Sequence, residues 1–575
     1  MGAMTAQAHV VRVNGPLVQV EGLTGVAMLD AVELGAQRLP GEVVAIRGDL
    51  ATVQAYEYTG GLTPGAAATS RGEPLSAPLG PHLLGGVFDG LLRPLAGAGT
   101  WLTPDRRNQG DGRLWSFTPT AVEGATVVPG TPLGTVEGAG AVPYLVLAPP
   151  GIGGRVEAVR PAGAYPATAP LVRIAGHDVA MVLRWPVRRP KPYRDRLDEV
   201  VPLLTGQRVI DLLLPVPKGG TAAVPGGFGT GKTVLLQQIT KWCDADVIVY
   251  VGCGERGNEM ADVVAELSEL SDPRTGGRLA DRTVVIANTS NMPMMAREAS
   301  VYSAVTVAEH FRDMGRDTVV IADSTSRWAE ALRELASRSG ALPAEEGYPA
   351  DLASALAAFY ERAGRVTTSG GLQGSVTIIG AVSPPGGDMT EPVTTHTQRF
   401  VRCLWTLDRD LAYARHYPAV SWTASFARDV EAVAAWQARN GDPGWAQRRA
   451  RVAALLAEAD RLGALAELVG AAALPAHERV VLLGGRLLRE AVLQQSALSP
   501  QDAFSDAERT TALAQAALDV VDGCQALADR GVPGSTIEEQ DFSPLLRARE
   551  EVGADTAGAV RGRRDALLQR LEALG

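Results

Sequence analysis

Apolar positions change their period along the chain. From about residue 5 to 70, short apolar runs alternate with turn signals: His9 to Val13, Leu17 to Val20, Ala27 to Leu29, Glu42 to Arg47 and Leu50 to Tyr56, with breaks at Asn14-Gly15-Pro16 and Gly48-Asp49. Such runs predict short strands and a small closed barrel. A Pro- and Gly-rich stretch follows, carrying one apolar patch from Leu83 to Leu95. Between about 113 and 185 strand runs return, at Val127-Val128, Leu133 to Val136 and Gly153 to Val159, separated by glycine turns. A compact sandwich or barrel is expected there. Trp185-Pro186-Val187-Arg188-Arg189-Pro190-Lys191-Pro192 reads as an extended connector, either a solvated linker or a basic binding patch. Beyond it, to about 430, strand and helix patterns alternate, predicting a mostly parallel sheet with helices on both faces. From about 431 to 575 the apolar period is helical throughout, as in Arg448 to Leu465 and Ala507 to Ala526.

Composition narrows the class. A chain of 575 residues exceeds what one core of about 250–300 residues holds, so several domains are expected. With 54 basic against 64 acidic residues the net charge is −10, and no basic excess advertises nucleic acid. Cys243, Cys253, Cys403 and Cys524 form no C-x-x-C pair. That spacing fits a reducing compartment and no structural zinc. Met1 to Val13 lacks the basic and apolar regions of a signal peptide. No run reaches the roughly 18 apolar residues of a membrane span, so any membrane role is expected to come through partners.

The chemistry concentrates in Gly226-Gly227-Phe228-Gly229-Thr230-Gly231-Lys232-Thr233, a G-x-x-x-x-G-K-T stretch. Its glycines let backbone N–H groups turn toward an anion. Lys232 is placed to reach β- and γ-phosphates, and the Thr233 hydroxyl to ligate Mg²⁺. Ala222-Ala223-Val224 supplies an apolar run before it, and Leu235, Leu236 and Ile239 fall at helical spacing after it. The loop is therefore expected at a helix N-terminus.

Two strand ends support it. Asp246 to Gly252 is a buried-strand run, followed by Glu255 and Arg256. A carboxylate there returns to the sheet edge that carries the loop, where it can position an attacking water. A surface Glu–Arg pair is the alternative. Asp317 to Ala322 ends in Asp323, a position fit to hold Mg²⁺, or to cap the helix expected near Arg327. Phe228, Tyr417 and Phe504 are candidate stacking surfaces for a base, although single aromatics more often belong to cores.

These stretches, with Leu204 to Asp211, Lys218 to Ala223, Gly252 to Met260, Ala322 to Glu334, Glu346 to Pro349 and Ser383 to Asp388, resemble the catalytic A subunit of the V/A-type rotary ATPases over most of the chain. The resemblance implies a multidomain α/β fold: an N-terminal β-barrel (4–72), an inserted β-rich module (113–185), a RecA-like P-loop nucleotide domain with connector (73–112 and 186–430) and a C-terminal helical domain (431–575). It implies ATP/ADP and Mg²⁺ as ligands, Lys232, Glu255 and Arg256 as catalytic groups, and Thr233 and Asp323 at the metal. It places residues Gly226 to Thr233, Tyr417 and Phe504 around the nucleotide. It implies three copies alternating with homologous B subunits that supply an arginine in trans, worth about 10³–10⁵ in rate. Central shaft subunits and a membrane-embedded ion-translocating sector would complete an assembly in which this chain sits peripherally on the cytoplasmic face. The chain departs from the family's habit at Gly227 (commonly proline), Thr230 (cysteine in some members) and Tyr417 (usually phenylalanine). Leu342 to Pro349 is a candidate shaft contact. Two other readings stand beside this one. The first is a secretion or nucleic-acid motor ATPase, and the second a nucleotide-binding structural subunit without turnover.

Overall fold

A computed structural model of the chain describes residues 8–96, 112–272, 274–551 and 556–574. The expected starts and ends at 4–7 and 575, and the whole of 97–111, lie outside them.

His9–Asn14, Leu17–Glu21, Asp30–Leu34, Leu39–Arg47, Leu50–Ala55 and Ala68–Pro74 form one antiparallel sheet. It closes on itself where the Val10 N–H donates to the Ala66 carbonyl at 2.8 Å and the Ala68 N–H to that of Ala8 at 2.8 Å. The expected strand at Ala27 to Leu29 is instead the turn leading into Asp30–Leu34. Asp30 accepts from the Ala27 N–H at 2.8 Å, closing that turn, and Leu29 takes a positive φ of 70°. The inserted module is a sandwich of two four-stranded sheets, one centred on Pro132–Glu137 and Leu114–Pro119, the other on Gly154–Val159 and Val172–Ile174. Its entry and exit meet, because Ser76–Leu79 pairs antiparallel with Leu183–Pro186.

The central sheet is mostly parallel. Its strands run in the order Cys403–Leu404, Thr221–Pro225, Gln373–Val382, Asp317–Asp323, Val247–Cys253, Thr283–Asn288, Val87–Phe88. Val247–Cys253 is buried at every position because both faces of the strand are covered. Val247, Val249 and Val251 pack into a core shared with the insert and with helix Met294–Asp313. Ile248 and Tyr250 face a second core, shared with helix Lys232–Trp242 and the C-terminal helices Trp445–Val469, Ala476–Leu487 and Ala507–Asp529. The Leu83 to Leu95 patch is accounted for in the same way, since Val87–Phe88 is an edge strand of this sheet. Among the described residues no helix is long and apolar enough to cross a membrane.

The connector is only partly solvated, with Arg189, Pro190 and Pro192 exposed and the rest packed into a joint. Trp185, Val187 and Lys191 are buried. The Arg188 guanidinium donates to Glu42 of the barrel at 2.9 and 3.0 Å and to Glu298 of helix Met294–Asp313 at 2.6 and 2.8 Å. Lys191 pairs with Asp313 at 3.0 Å. Arg188 and Lys191 are there because acidic side chains of two modules point into the joint, which sequence order does not reveal. Arg188→Ala would leave Glu42 and Glu298 without their cation, and is expected to cost about 3–5 kcal/mol. The measurement is the thermal melting midpoint, and an unchanged midpoint would contradict this account of the joint.

Candidate catalytic site

Strand Thr221–Pro225 runs into the loop, and helix Lys232–Trp242 leaves it. Gly229 and Gly231 both hold φ of +82°, a left-handed conformation that a side chain would strain. At Gly226 the constraint is space, since a Cβ would lie 2.8 Å from Leu407 and from the Thr230 hydroxyl. Thr230 is buried, and its hydroxyl donates to the Gly227 carbonyl at 2.8 Å. That bond braces the loop from within, at the residue where glycine gives the backbone most freedom.

Lys232 donates to the Val382 carbonyl at 3.2 Å and to the Ser383 hydroxyl, at the end of the neighbouring strand. Burial lowers its pKa, while Asp323 and Glu255 pull it back up. Asp323 is 2 % exposed. It accepts from the Tyr250 hydroxyl at 3.3 Å and the Thr233 hydroxyl at 3.4 Å. Burial raises its pKa, and Lys232 offsets part of that rise. The helix after it starts at Thr325 with Ser324 in the capping position, and neither Asp323 nor Ser324 caps it through a side chain. The carboxylate faces the loop instead. An all-oxygen pair of hydroxyl and carboxylate suits a hard divalent cation.

Glu255 lies just past strand Val247–Cys253. Two strands separate that strand from Thr221–Pro225, yet both end at one sheet edge, so Glu255 still faces Lys232. Burial first, then Asp323 and Glu259, push its carboxyl up to about 7, against the pull of Lys232 and Arg327. Arg256 does not join this cluster, because its side chain is 70 % exposed and lies 3.7 Å from Glu259. Arg327, held by Glu330 at 2.9 Å, is the cation that sequence reasoning missed. Its signal was a basic residue four positions past a strand-ending Asp. Ser383 and Tyr250 were missed as well, being partners visible only once the strands are ordered.

The aromatics divide. Phe228 stands on the loop, 97 % exposed. The Tyr417 ring lies against the loop, where a Cβ on Gly231 would come within 3.2 Å of it. Phe504 stacks on Trp242 with centroids 5.1 Å apart. Trp242 ends the loop helix, about 15 Å from Lys232 at 1.5 Å per residue. The segment carrying Phe504 is tied to Tyr417 through Gln495, whose N–H donates to the Tyr417 carbonyl at 2.8 Å. Leu498 projects from that segment, 95 % exposed.

A phosphate loop at a helix N-terminus, facing one carboxylate beside its threonine and a second with a raised pKa, defines a P-loop nucleotide site. Comparison with known proteins places it further. The model of the ATP synthase alpha/beta family nucleotide-binding domain matches residues 206–427. That family's beta-barrel domain matches 10–72, its barrel-sandwich domain 110–188, and the C-terminal domain of V and A type ATP synthase 434–526. A V-type ATP synthase alpha chain from Anaeromyxobacter sp. (strain K) is 49 % identical, covering 98 % of this chain and 99 % of that one. The V-type ATP synthase alpha chain of Nitrosococcus oceani is 48 % identical over 93 % of each. The V-type ATP synthase alpha chain of Thermoanaerobacter pseudethanolicus is 46 % identical, covering 93 % of this chain and 92 % of that one. The chain belongs to the V/A-type ATP synthase alpha-chain family.

The raised pKa of Glu255 has a consequence for stability. A carboxyl that titrates near 7 when folded and near 4.3 when unfolded binds more protons in the folded state across that window. Stability from this group therefore falls as pH rises from about 4.3 to 7. Glu255→Gln is expected to melt above wild type at pH 8, with the gap closing toward pH 5. A gap that is equal at both pH values would contradict the assignment.

Proposed function

We propose that the chain is the catalytic subunit of a V/A-type rotary ATPase, hydrolysing ATP or forming it, and coupling that chemistry to rotation and to transmembrane movement of H⁺ or Na⁺. The observation carrying this reading is the convergence of Lys232, Asp323 and Glu255 at one sheet edge.

In this reading the amides of Gly226 to Thr233 and the Lys232 ammonium take the phosphates of ATP or ADP. Lys232 exchanges the Val382 carbonyl and Ser383 hydroxyl for phosphate oxygens. Thr233 and Asp323 would hold Mg²⁺, which would supply neutralisation of the phosphate charge. Glu255 orients the attacking water, and a carboxylate titrating near 7 is well matched to accept its proton at neutral pH. Arg327 faces the developing charge. Arg256 reaches phosphate only by leaving Glu259. The base stacks on Tyr417, with Phe228 and Leu498 at its margins, and Phe504 supports the segment from behind.

The site is open on the side where Phe228 stands exposed. A homologous B subunit closes it and supplies an arginine, as part of an alternating A/B hexamer on central shaft subunits. A membrane-embedded ion-translocating sector completes the machine, with this chain peripheral on the cytoplasmic face. A secretion or nucleic-acid motor is disfavoured by the inserted module and the net charge of −10. A structural subunit without turnover would not need a carboxylate at Glu255.

Glu255→Gln in the reconstituted complex is expected to keep MgADP affinity and to lose about 10²–10⁴ in turnover. ATPase rate at saturating MgATP measures this, and turnover near wild type would overturn the role of Glu255.

A further inference from the structure

An open cleft of about 610 Å³ lies between the start of helix Met294–Asp313 and helix Thr325–Ser339. Met294, Arg297, Glu330, Arg333 and Glu334 line it. Arg297 is 8 % exposed, and its Nε has no hydrogen-bond partner. One Nη reaches only the Ser290 carbonyl, at 3.5 Å, the outer limit of bonding. A buried cation with unfilled donors is costly until an acceptor arrives. Arg333 has no carboxylate partner among the described residues, and its guanidinium rests 4.9 Å from the Tyr348 ring centroid.

The cleft's own carboxylates are already paired, Glu330 with Arg327 at 2.9 Å and Glu334 with Arg338 at 2.6 Å. Met294 opens a 20-residue helix whose first amides receive no side-chain cap, which adds to the positive potential. Two unneutralised guanidiniums with spare donors match a tetrahedral oxyanion. The cleft also shares a wall with the catalytic edge. The Ser290 N–H donates to the Glu255 carbonyl at 2.8 Å, and a Cβ on Gly254 would meet the Arg297 Nε at 3.1 Å.

We propose that this cleft is a second oxyanion site, a station for inorganic phosphate beside Glu255 and separate from the phosphate loop. This rests on the reading of the chain as an ATP hydrolase or synthase. Phosphate leaving after hydrolysis pauses at Arg297 and Arg333, and phosphate entering for synthesis is held there before it meets ADP. No bond is made or broken in the cleft.

The test is equilibrium dialysis of ³²P-labelled inorganic phosphate against the full chain, with and without saturating MgADP on the loop. With MgADP present, one phosphate per chain is expected, and Arg333→Gln and Arg297→Gln should each weaken it about tenfold without changing MgADP affinity. Arg333 is only half-buried, so its variant reports on the cleft even where the Arg297 variant fails to fold. Phosphate bound equally by wild type and Arg333→Gln overturns the proposal. So does no phosphate bound by wild type, the outcome expected if the cleft instead receives an acidic segment of a neighbouring protein in the assembly. Failure to bind MgADP would count against the proposed function alone, since Arg333 dependence is still read without nucleotide.

Discussion

Two carboxylates and one ammonium at a single sheet edge set the terms for the rest of the molecule. Asp323 is buried and Glu255 largely so, and each has its pKa raised first by burial. Lys232 is the loop's only side-chain cation facing them, and burial lowers its own pKa. None of the three is comfortable in its charged form: an incoming phosphate would relieve the Lys232 ammonium, and a divalent cation at Thr233 and Asp323 would relieve the carboxylates. A site that costs stability when empty and repays it on binding is how a P-loop enzyme prepares for an anionic substrate. Ser383 and Val382 hold Lys232 in the meantime.

The edge stays in place because two arginines, one partly and one fully buried, join the modules around it. Arg188 links barrel and nucleotide domain through Glu42 and Glu298. Glu298 follows Arg297 in the helix that backs Gly254, so the barrel joint and the catalytic edge share one turn of helix. Arg208, fully buried, does the same for the C-terminal helices. It donates to the Val492 carbonyl at 2.6 Å, the Gln494 carbonyl at 2.6 Å and Asp502 at 2.7 Å. Gln495 then carries that anchor to Tyr417 at the loop. The C-terminal helices are thereby hydrogen-bonded, through Gln495, to Tyr417 beside the loop.

Much of this was legible in the residues. The loop and the strand-ending Asp are local patterns whose chemistry follows from spacing, and alternating apolar runs gave the barrel, the sandwich and the doubly covered sheet. What escaped was set by contacts between distant residues. The connector's arginine and lysine read as linker because Glu42, Glu298 and Asp313 lie far from them in sequence. Strand order hid Ser383, which reaches Lys232 only because Gln373–Val382 neighbours Thr221–Pro225. Phe504 joins the loop aromatics only through the family resemblance, and its stack on Trp242 is likewise a contact that spacing does not show. Ala27 to Leu29 carries apolar side chains but spends them on a turn, because Asp30 closes it.

In the proposed mechanism Lys232 and Glu255 serve phosphate and water at one edge. The most direct measurement is a structure of the assembled complex with MgADP and aluminium fluoride in place of the γ-phosphate. Lys232 is expected to have left Ser383 for the phosphate oxygens, with a Glu255 oxygen about 3 Å from an in-line water. Lys232 still on Ser383, with another side chain facing that water, would contradict it.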